Sequence, residues 1–231
     1  MTTGYNPTPI KHLALIPPKA PNLPIGPVQY DQRYQDQMLN ALRLYFNQID
    51  NFGYGLAGTT GGSFLGFPFV SAYDTAAQYA TAANTPTIVA WNGLGGANSF
   101  TLNSDNTATA LTAGRYKITY SLQFANTDNA AHDSIVWLRI NGVDVANSST
   151  IFTIPARKSA GVPSYVCGYS EVVFDINAGD VIGLWWGTDQ AATSGGATGN
   201  YIYYRAEQTA PMAYPATPSV IGSITFVSAL Y

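Results

Sequence analysis

The tightest constraint on the fold is a strict alternation of apolar and polar residues over 115–124, RYKITYSLQF. The apolar residues at every second position are Tyr116, Ile118, Tyr120, Leu122 and Phe124. Because successive side chains of a β-strand point to opposite faces, this pattern predicts a strand with one face in a core and the other in water. The next apolar segment ends in Asn141-Gly142, a dipeptide typical of a tight β-hairpin turn. Together the two segments predict antiparallel β-structure.

The chain after residue 85 consists of short apolar segments separated by turns rich in glycine and asparagine. Strands are predicted at 88–91, 99–102, 107–111, 115–124, 134–141, 143–154, 164–176, 181–186, 200–207 and 219–231. Many short strands at regular spacing are typical of a β-sandwich. The sequence therefore predicts a mainly β fold, an antiparallel jelly-roll sandwich, as one head domain over 85–231.

The composition argues against several classes of function. Charged residues make up 10% of the chain, against about 25% in a typical globular protein, and the net charge is −3. We therefore expect no nucleic-acid binding. No apolar run reaches the roughly 18 residues of a membrane span, and the N-terminus lacks a signal-peptide pattern. We expect no membrane insertion and a protein assembled inside a cell, whose single cysteine, Cys167, is predicted to be buried on a strand.

One long helical pattern precedes the strands, over residues 30–52. Apolar residues at alternating spacings of four and three form the seam of a coiled coil: Met38, Leu42, Tyr45, Ile49 and Phe52. Asp31 is predicted to cap this helix, and Gly53 and Gly55 to end it. The seam packs either on the chain's own domain or on further copies of the helix, and we favour self-association.

Residues 1–29 hold half of the 14 prolines, which disfavours helix and sheet and predicts an extended arm. The apolar residues that we assign to anchoring are Ile10, Leu13, Leu15, Ile16, Leu23 and Ile25. Since a solvated linker is poor in such residues, we expect the arm to lie along a groove on another protein. The alternative is an arm wrapped over its own domain. Residues 53–84 are predicted to be a glycine-rich and aromatic linker, with a short helical turn over 76–84.

Four segments of the head resemble a known family. They are 111–118, LTAGRYKI; 136–142, VWLRING; 174–182, FDINAGDVI; and 222–231, GSITFVSALY. In this order they are similar to the globular heads of the tumour-necrosis-factor and complement type. The resemblance implies a ten-stranded jelly roll that assembles as a tight trimer, so we expect a homotrimer.

The N-terminal third resembles a different group, the anchoring segments of structural proteins from marine tailed bacteriophages, including those that infect cyanobacteria. The segment that carries this resemblance is the proline-rich arm followed by YDQRYQDQMLNALRLYFNQIDN. It implies a virion protein, assembled in the host cytoplasm and exposed on the particle, whose residues 1–29 bind a capsid, tail or fibre-base protein. We expect a non-enzymatic fibre knob or capsid-decoration protein. The alternative is a tail-fibre head that binds a host receptor or glycan.

No sequence motif of an enzyme is present. A nucleophile elbow, zinc-type Cys and His spacing and the HExxH pattern are all absent, and we expect neither catalytic residues, nor a cofactor, nor a metal. Scattered acidic residues are expected to cap turns and to face solvent. The alternative for them is a pair of carboxylates that hydrolyses a glycan. The oxygen-rich segment 126–133 is a second alternative, as a calcium loop.

Four aromatic residues near the C-terminal strands are candidates for a subunit interface or a sugar-binding surface: Trp185, Trp186, Tyr201 and Tyr203. Alternation places Trp185 and Trp186 on opposite sides of one strand, so one of them is expected in the core. We favour the interface over the ligand site. The loops at 128–133, 155–163 and 190–199 are suited to contact a partner or a host surface.

Overall fold

The computed structural model describes residues 18–57, apart from Pro24 and Pro27, and residues 66–230. The chain divides into two compact units, Met1–Gly66 and Phe67–Tyr231. The first contains one described helix, and the second contains the β-structure that we call the head. Each unit is described by itself.

Helix α1 spans Gln32–Ala57. Its predicted cap is confirmed, because the backbone N–H of Arg33 donates to Asp31 Oδ1 over 2.8 Å. The predicted end is wrong, because Gly53 and Gly55 lie inside the helix. Neither glycine has the positive φ of a helix-ending residue, and a glycine inside a helix costs only about 1 kcal/mol.

The head is built from thirteen strands in the described residues. They are β1 (Phe69–Asp74), β2 (Thr87–Ile88), β3 (Gly93–Asn98), β4 (Phe100–Leu102), β5 (Ala108–Ala110), β6 (Gly114–Asn126), β7 (His132–Ile140), β8 (Val143–Asp144), β9 (Thr150–Ile154), β10 (Ser164–Ile176), β11 (Val181–Thr188), β12 (Asn200–Ile202) and β13 (Val220–Ser228). Each predicted strand overlaps at least one of these. The single strand predicted over 143–154 is divided into β8 and β9. Between them Asn147 takes a positive φ of 63°, and Ser148 closes the turn.

Two antiparallel sheets face each other in the head. The first sheet has six strands in the order β10-β6-β13-β1-β3, with β12 also paired to β6. The second has seven strands in the order β4-β5-β11-β7-β8, with β2 on β11 and β9 on β7. The first strand thus lies beside the last, and long connections join strands that are neighbours in space, which is the arrangement of a jelly roll. The predicted fold class, a mainly β antiparallel jelly-roll sandwich, is confirmed.

The core lies between the two sheets. The predicted inward face of β6 is confirmed, and the fully buried side chains that meet there include Tyr116, Leu122, Phe124, Val136, Leu138 and Trp186. The rings of Phe124 and Trp186 are 6.1 Å apart and join the two sheets. Burial of each such side chain contributes roughly 1.5–3 kcal/mol to folding.

The head begins at Phe67 rather than near residue 85. The second half of the predicted linker contains β1, which pairs with β13 on one side and with β3 on the other. Strand β3, predicted as a turn because of its glycines, lies so close to β1 that a Cβ at Gly93 would meet the Tyr73 ring at 2.3 Å. Only glycine fits there, so this glycine marks close packing and not a turn.

The predicted helical turn over 76–84 is also absent. Gln78 instead exchanges two backbone hydrogen bonds of 2.9 Å with Ile202 of β12. Its side-chain Oε1 accepts from the backbone N–H of Ala90 at 2.8 Å. Pairing with distant strands therefore overrides the helical preference of this alanine-rich segment.

Candidate functional site

The outer face of the second sheet carries the most distinctive group of side chains in the head. Strand β7 directs Ile135, Trp137 and Arg139 outward, and β11 directs Trp185 outward beside them. Trp185 is the cross-strand partner of Trp137. The next residue of β11 on this face is Gly187, which lies opposite Ile135 and leaves open space above the sheet.

Arg139 organises this face. Its guanidinium carbon Cζ lies 4.1 Å from the ring centre of Trp185, a cation–π contact. Its Nε donates to Asp144 Oδ1 at 2.5 Å, and Trp137 Nε1 donates to the same oxygen at 2.6 Å. Both hydrogen bonds lower the pKa of Asp144, and the one from Arg139 has the larger effect. One face of Trp185 is therefore covered by Arg139, while the Trp137 ring is held in one orientation.

A groove of about 340 Å³ opens beside Trp137. It is lined mainly by Pro86, Asp133, Ile135, Trp137, Gly187 and Asp189, together with Asn84 and Thr85. We call this space the β7–β11 groove. Its wall is apolar at Ile135 and Trp137, and its end at Asp133 and Asp189 is acidic. The groove thus combines an aromatic surface with hydrogen-bond acceptors, a combination typical of small-molecule sites.

Hydrogen bonds hold the two carboxylates of the groove in place. Asp189 Oδ1 accepts from the backbone N–H of Asp133 at 3.1 Å. Asp133 Oδ1 accepts from Thr153 Oγ1 at 2.6 Å. Within the described part of the chain, the second oxygen, Oδ2, of each carboxylate accepts no hydrogen bond, so both remain open to a ligand.

The neighbouring loop, 126–133, uses its oxygens internally. His132 Nε2 lies 2.8 Å from Asp128 Oδ2, and His132 Nδ1 lies 3.4 Å from Asp189 Oδ1. The hydrogen bond from His132, with others from the Asn129 backbone and Thr198, lowers the pKa of Asp128 to about 2. Among the described residues, no three His, Cys, Asp or Glu side chains lie together as metal ligands would.

The outer face of the first sheet carries exposed apolar and hydroxyl side chains together with two ion pairs, Arg115–Asp175 and Lys117–Glu171. Its exposed apolar side chains are Phe69, Tyr73, Tyr165, Tyr169, Val173, Ile221 and Val227. Between them Thr119 Oγ1 and Ser223 Oγ are 2.7 Å apart. Cys167 is exposed on this face, so the prediction that it is buried is wrong: its neighbours Val166 and Gly168 take the inward positions of β10. We call this surface the first-sheet face.

The four candidate aromatics do not form one surface. Trp186 is fully buried and Trp185 is not, as their predicted opposite directions require. Tyr201 and Tyr203 belong to the first sheet, where Tyr201 stacks on Tyr79 at 5.3 Å and Tyr203 lies 4.8 Å from Tyr165. Burial raises the pKa of Tyr201 to about 12. A single sugar-binding surface that includes all four residues is therefore excluded.

Trp137 is not among the residues predicted for a site, although the sequence contains a signal for it. Alternation in SIVWLRI sends Val136 and Leu138 inward and so leaves Trp137 outward, beside Arg139. The pairing of Asp133 with Asp189 had no such signal, because these residues belong to segments that meet only through the register of β7 and β11.

The predicted seam of α1 lies on one side of the helix. Met38, Leu42, Tyr45, Ile49 and Phe52 are all partly exposed, and none is buried. Of the predicted anchoring residues, Leu23 and Ile25 are exposed, with 48% and 97% of their surface accessible. Ile10, Leu13, Leu15 and Ile16 lie outside the described residues. Within the described residues, no helix has both the length and the hydrophobicity to cross a membrane.

Comparisons with known proteins bear only on the head. No protein-family model matches the chain, and no curated protein matches it. Among solved structures, the chain is similar to the Eiger TNF of S. frugiperda, with 9% identity and a TM-score of 0.45. The similarity covers 71% of this chain and 96% of that one. The assignment of the jelly roll rests on the strand pairing described above.

Proposed function

We propose that this protein is a non-enzymatic virion structural protein, a homotrimeric knob of a fibre or capsid decoration, attached to the particle by its N-terminal arm. The observation that supports it best is the first-sheet face. Tyr169 lies on β10 and Ile221 on β13 of that sheet, where a monomer leaves both side chains exposed to water. Apolar patches of this kind are typical of protein interfaces.

The helix supports the same proposal. Its seam lies on one side, and Leu39 and Phe46 beside the seam are more than half exposed. Self-association would remove this surface from water, as in a coiled coil. The seam is too short and too mixed to select three chains, so the head sets the oligomeric state.

The arm provides the attachment. Leu23 and Ile25 are exposed apolar residues in a proline-rich segment, a combination suited to docking in a groove of another virion protein. The resemblance of the N-terminal third to the anchoring segments of phage structural proteins supports the same role for the arm. The expected location is the particle surface.

A second candidate function is an adhesin head that binds a host receptor or glycan. The β7–β11 groove favours it, because the groove lies on the second sheet and is left open when the first-sheet face is covered. The two functions are compatible in one protein. We do not propose that the head hydrolyses the glycan.

The interface is tested by the pair of variants Ile221→Asp and Ile151→Asp. Both isoleucines are exposed, at 49% and 63%, but Ile221 lies on the first-sheet face and Ile151 on the outer face of the second sheet. Three buried aspartates would destabilise a trimer strongly, so we expect Ile221→Asp to shift the native mass to that of one chain. Ile151→Asp should stay trimeric. Trimers in both variants would contradict the proposed interface.

A further inference from the structure

We infer that the β7–β11 groove binds the ring of a neutral pyranose sugar. This inference rests on the second candidate function, attachment to a glycan, and is independent of the trimer. It gives that function a defined site: Trp137 as the surface for the sugar ring, and Asp133 with Asp189 as acceptors for its hydroxyl groups.

The Trp137 ring is held in one orientation at the border of the groove. Its N–H is bound to Asp144, and the Arg139 guanidinium lies 5.9 Å from its ring centre. The far edge of the indole borders the groove, where its Cη2 atom would lie 3.9 Å from a Cβ at Gly187. A pyranose can place its C–H groups against this edge of the indole. Because the ring is already fixed, little conformational entropy is lost on binding.

The polar end of the groove offers hydrogen-bond acceptors. Ionised carboxylates only accept hydrogen bonds, and the open oxygens of Asp133 and Asp189 fit the hydroxyl donors of a sugar. Asn84 and Thr85 line the same space. The amide of Asn84 both donates and accepts, whereas the hydroxyl of Thr85 donates to the carbonyl oxygen of Ala83 and can accept from a ligand. Neighbouring hydroxyls of one ring need this mixture of partners.

Charge and shape exclude other ligands. Two carboxylates repel an anionic ligand, and the nearby basic side chains are already engaged: His132 contacts Asp128 and Asp189, and Arg139 is paired with Asp144. A quaternary ammonium is held by several rings, whereas Trp137 is the one aromatic residue that lines the groove in the described part of the chain. A volume of about 340 Å³ lies at the low end for ligand pockets, which suits a single sugar ring.

Gly187 forms the floor and supplies a specific test. An added Cβ would lie 3.6 Å from the carbonyl oxygen of Thr85 and 3.9 Å from Trp137, both ordinary contacts. Gly187→Ala should therefore fold normally and leave most of the groove open. Gly187→Val adds two methyl groups that occupy the space of the sugar, and valine is favoured in strands.

The experiment uses the full chain with the methyl glycosides of glucose, galactose, mannose and N-acetylglucosamine. Binding is followed by saturation-transfer NMR and by tryptophan fluorescence. We expect the wild type and Gly187→Ala to bind at least one of the four with a Kd on the order of 1 mM. Gly187→Val should lower the affinity at least about 10-fold. Asp189→Asn replaces an exposed residue, keeps the fold and should lower the affinity by a similar amount. Methyl glucuronide, with its added charge, should bind at least about 10-fold more weakly than methyl glucoside.

Several results would overturn the inference. They are the absence of binding to all four glycosides, unchanged binding by Gly187→Val and Asp189→Asn, glucuronide binding equal to that of glucoside, and binding of tetramethylammonium alone. The native mass of each variant is measured in parallel. A trimer that binds no sugar contradicts sugar binding in the groove and leaves the structural function unaffected. A monomer that binds sugar contradicts the trimeric structural function and supports the groove.

Discussion

At the scale of single residues, buried polar side chains define the end of the sandwich that carries the groove. Asn126 and Asn200 are fully buried and pair across β6 and β12. The side-chain amide nitrogen of Asn200 donates to His132 O and to Ser134 Oγ, each at 3.1 Å. The amide nitrogen of Asn126 donates to the carbonyl oxygen of Ala130 at 2.8 Å. These bonds fix the loop 126–133, and with it the start of β7 and one carboxylate of the groove.

The pair formed by Asp128 and His132 gives a prediction for acid stability. The pKa of Asp128 is about 2 in the folded chain and 3.8 in its ordinary state, so the carboxylate stabilises the fold fully above pH 3.8. This contribution is lost as the pH falls from 3.8 through about 2. We expect Asp128→Asn to lower the midpoint of thermal unfolding at neutral pH, and the difference from wild type to shrink within that range. A difference that stays constant down to pH 2 would show that the charge of the Asp128 carboxylate does not stabilise the fold.

At the scale of elements, the sequence predicts correctly those features that depend on residues close together in the chain. Alternation in β6 and the Asn141-Gly142 turn depend on neighbouring residues, and both are found as expected. The missed strands β1 and β3 depend on distant partners, since β1 is held by β13 from the other end of the chain. The groove was missed for the same reason: alternation reveals Trp137, but only strand register brings Asp189 to it.

Helix α1 gives a prediction at this scale through two leucines. Leu42 lies in the seam, whereas Leu44 lies on the opposite side of the helix and is 57% exposed. We expect Leu42→Asp to lower the midpoint of thermal dissociation of the oligomer by several degrees, because it buries charge between helices. Leu44→Asp has the same change of residue type and should have little effect. Equal effects of the two substitutions would indicate that the seam does not mediate self-association.

At the scale of the whole molecule, the two sheets divide the work of the head. The first sheet has an exposed face that we assign to contacts with other copies of the chain, and the second has the groove that we assign to a ligand. We propose that the N-terminal arm supplies the attachment.

The central claim is that three copies of the chain form the functional unit. Light scattering of the full-length wild type, measured over a wide range of protein concentration, tests it directly. We expect a constant mass of three times the chain mass of 24.6 kDa. A mass of one chain at every concentration would contradict it.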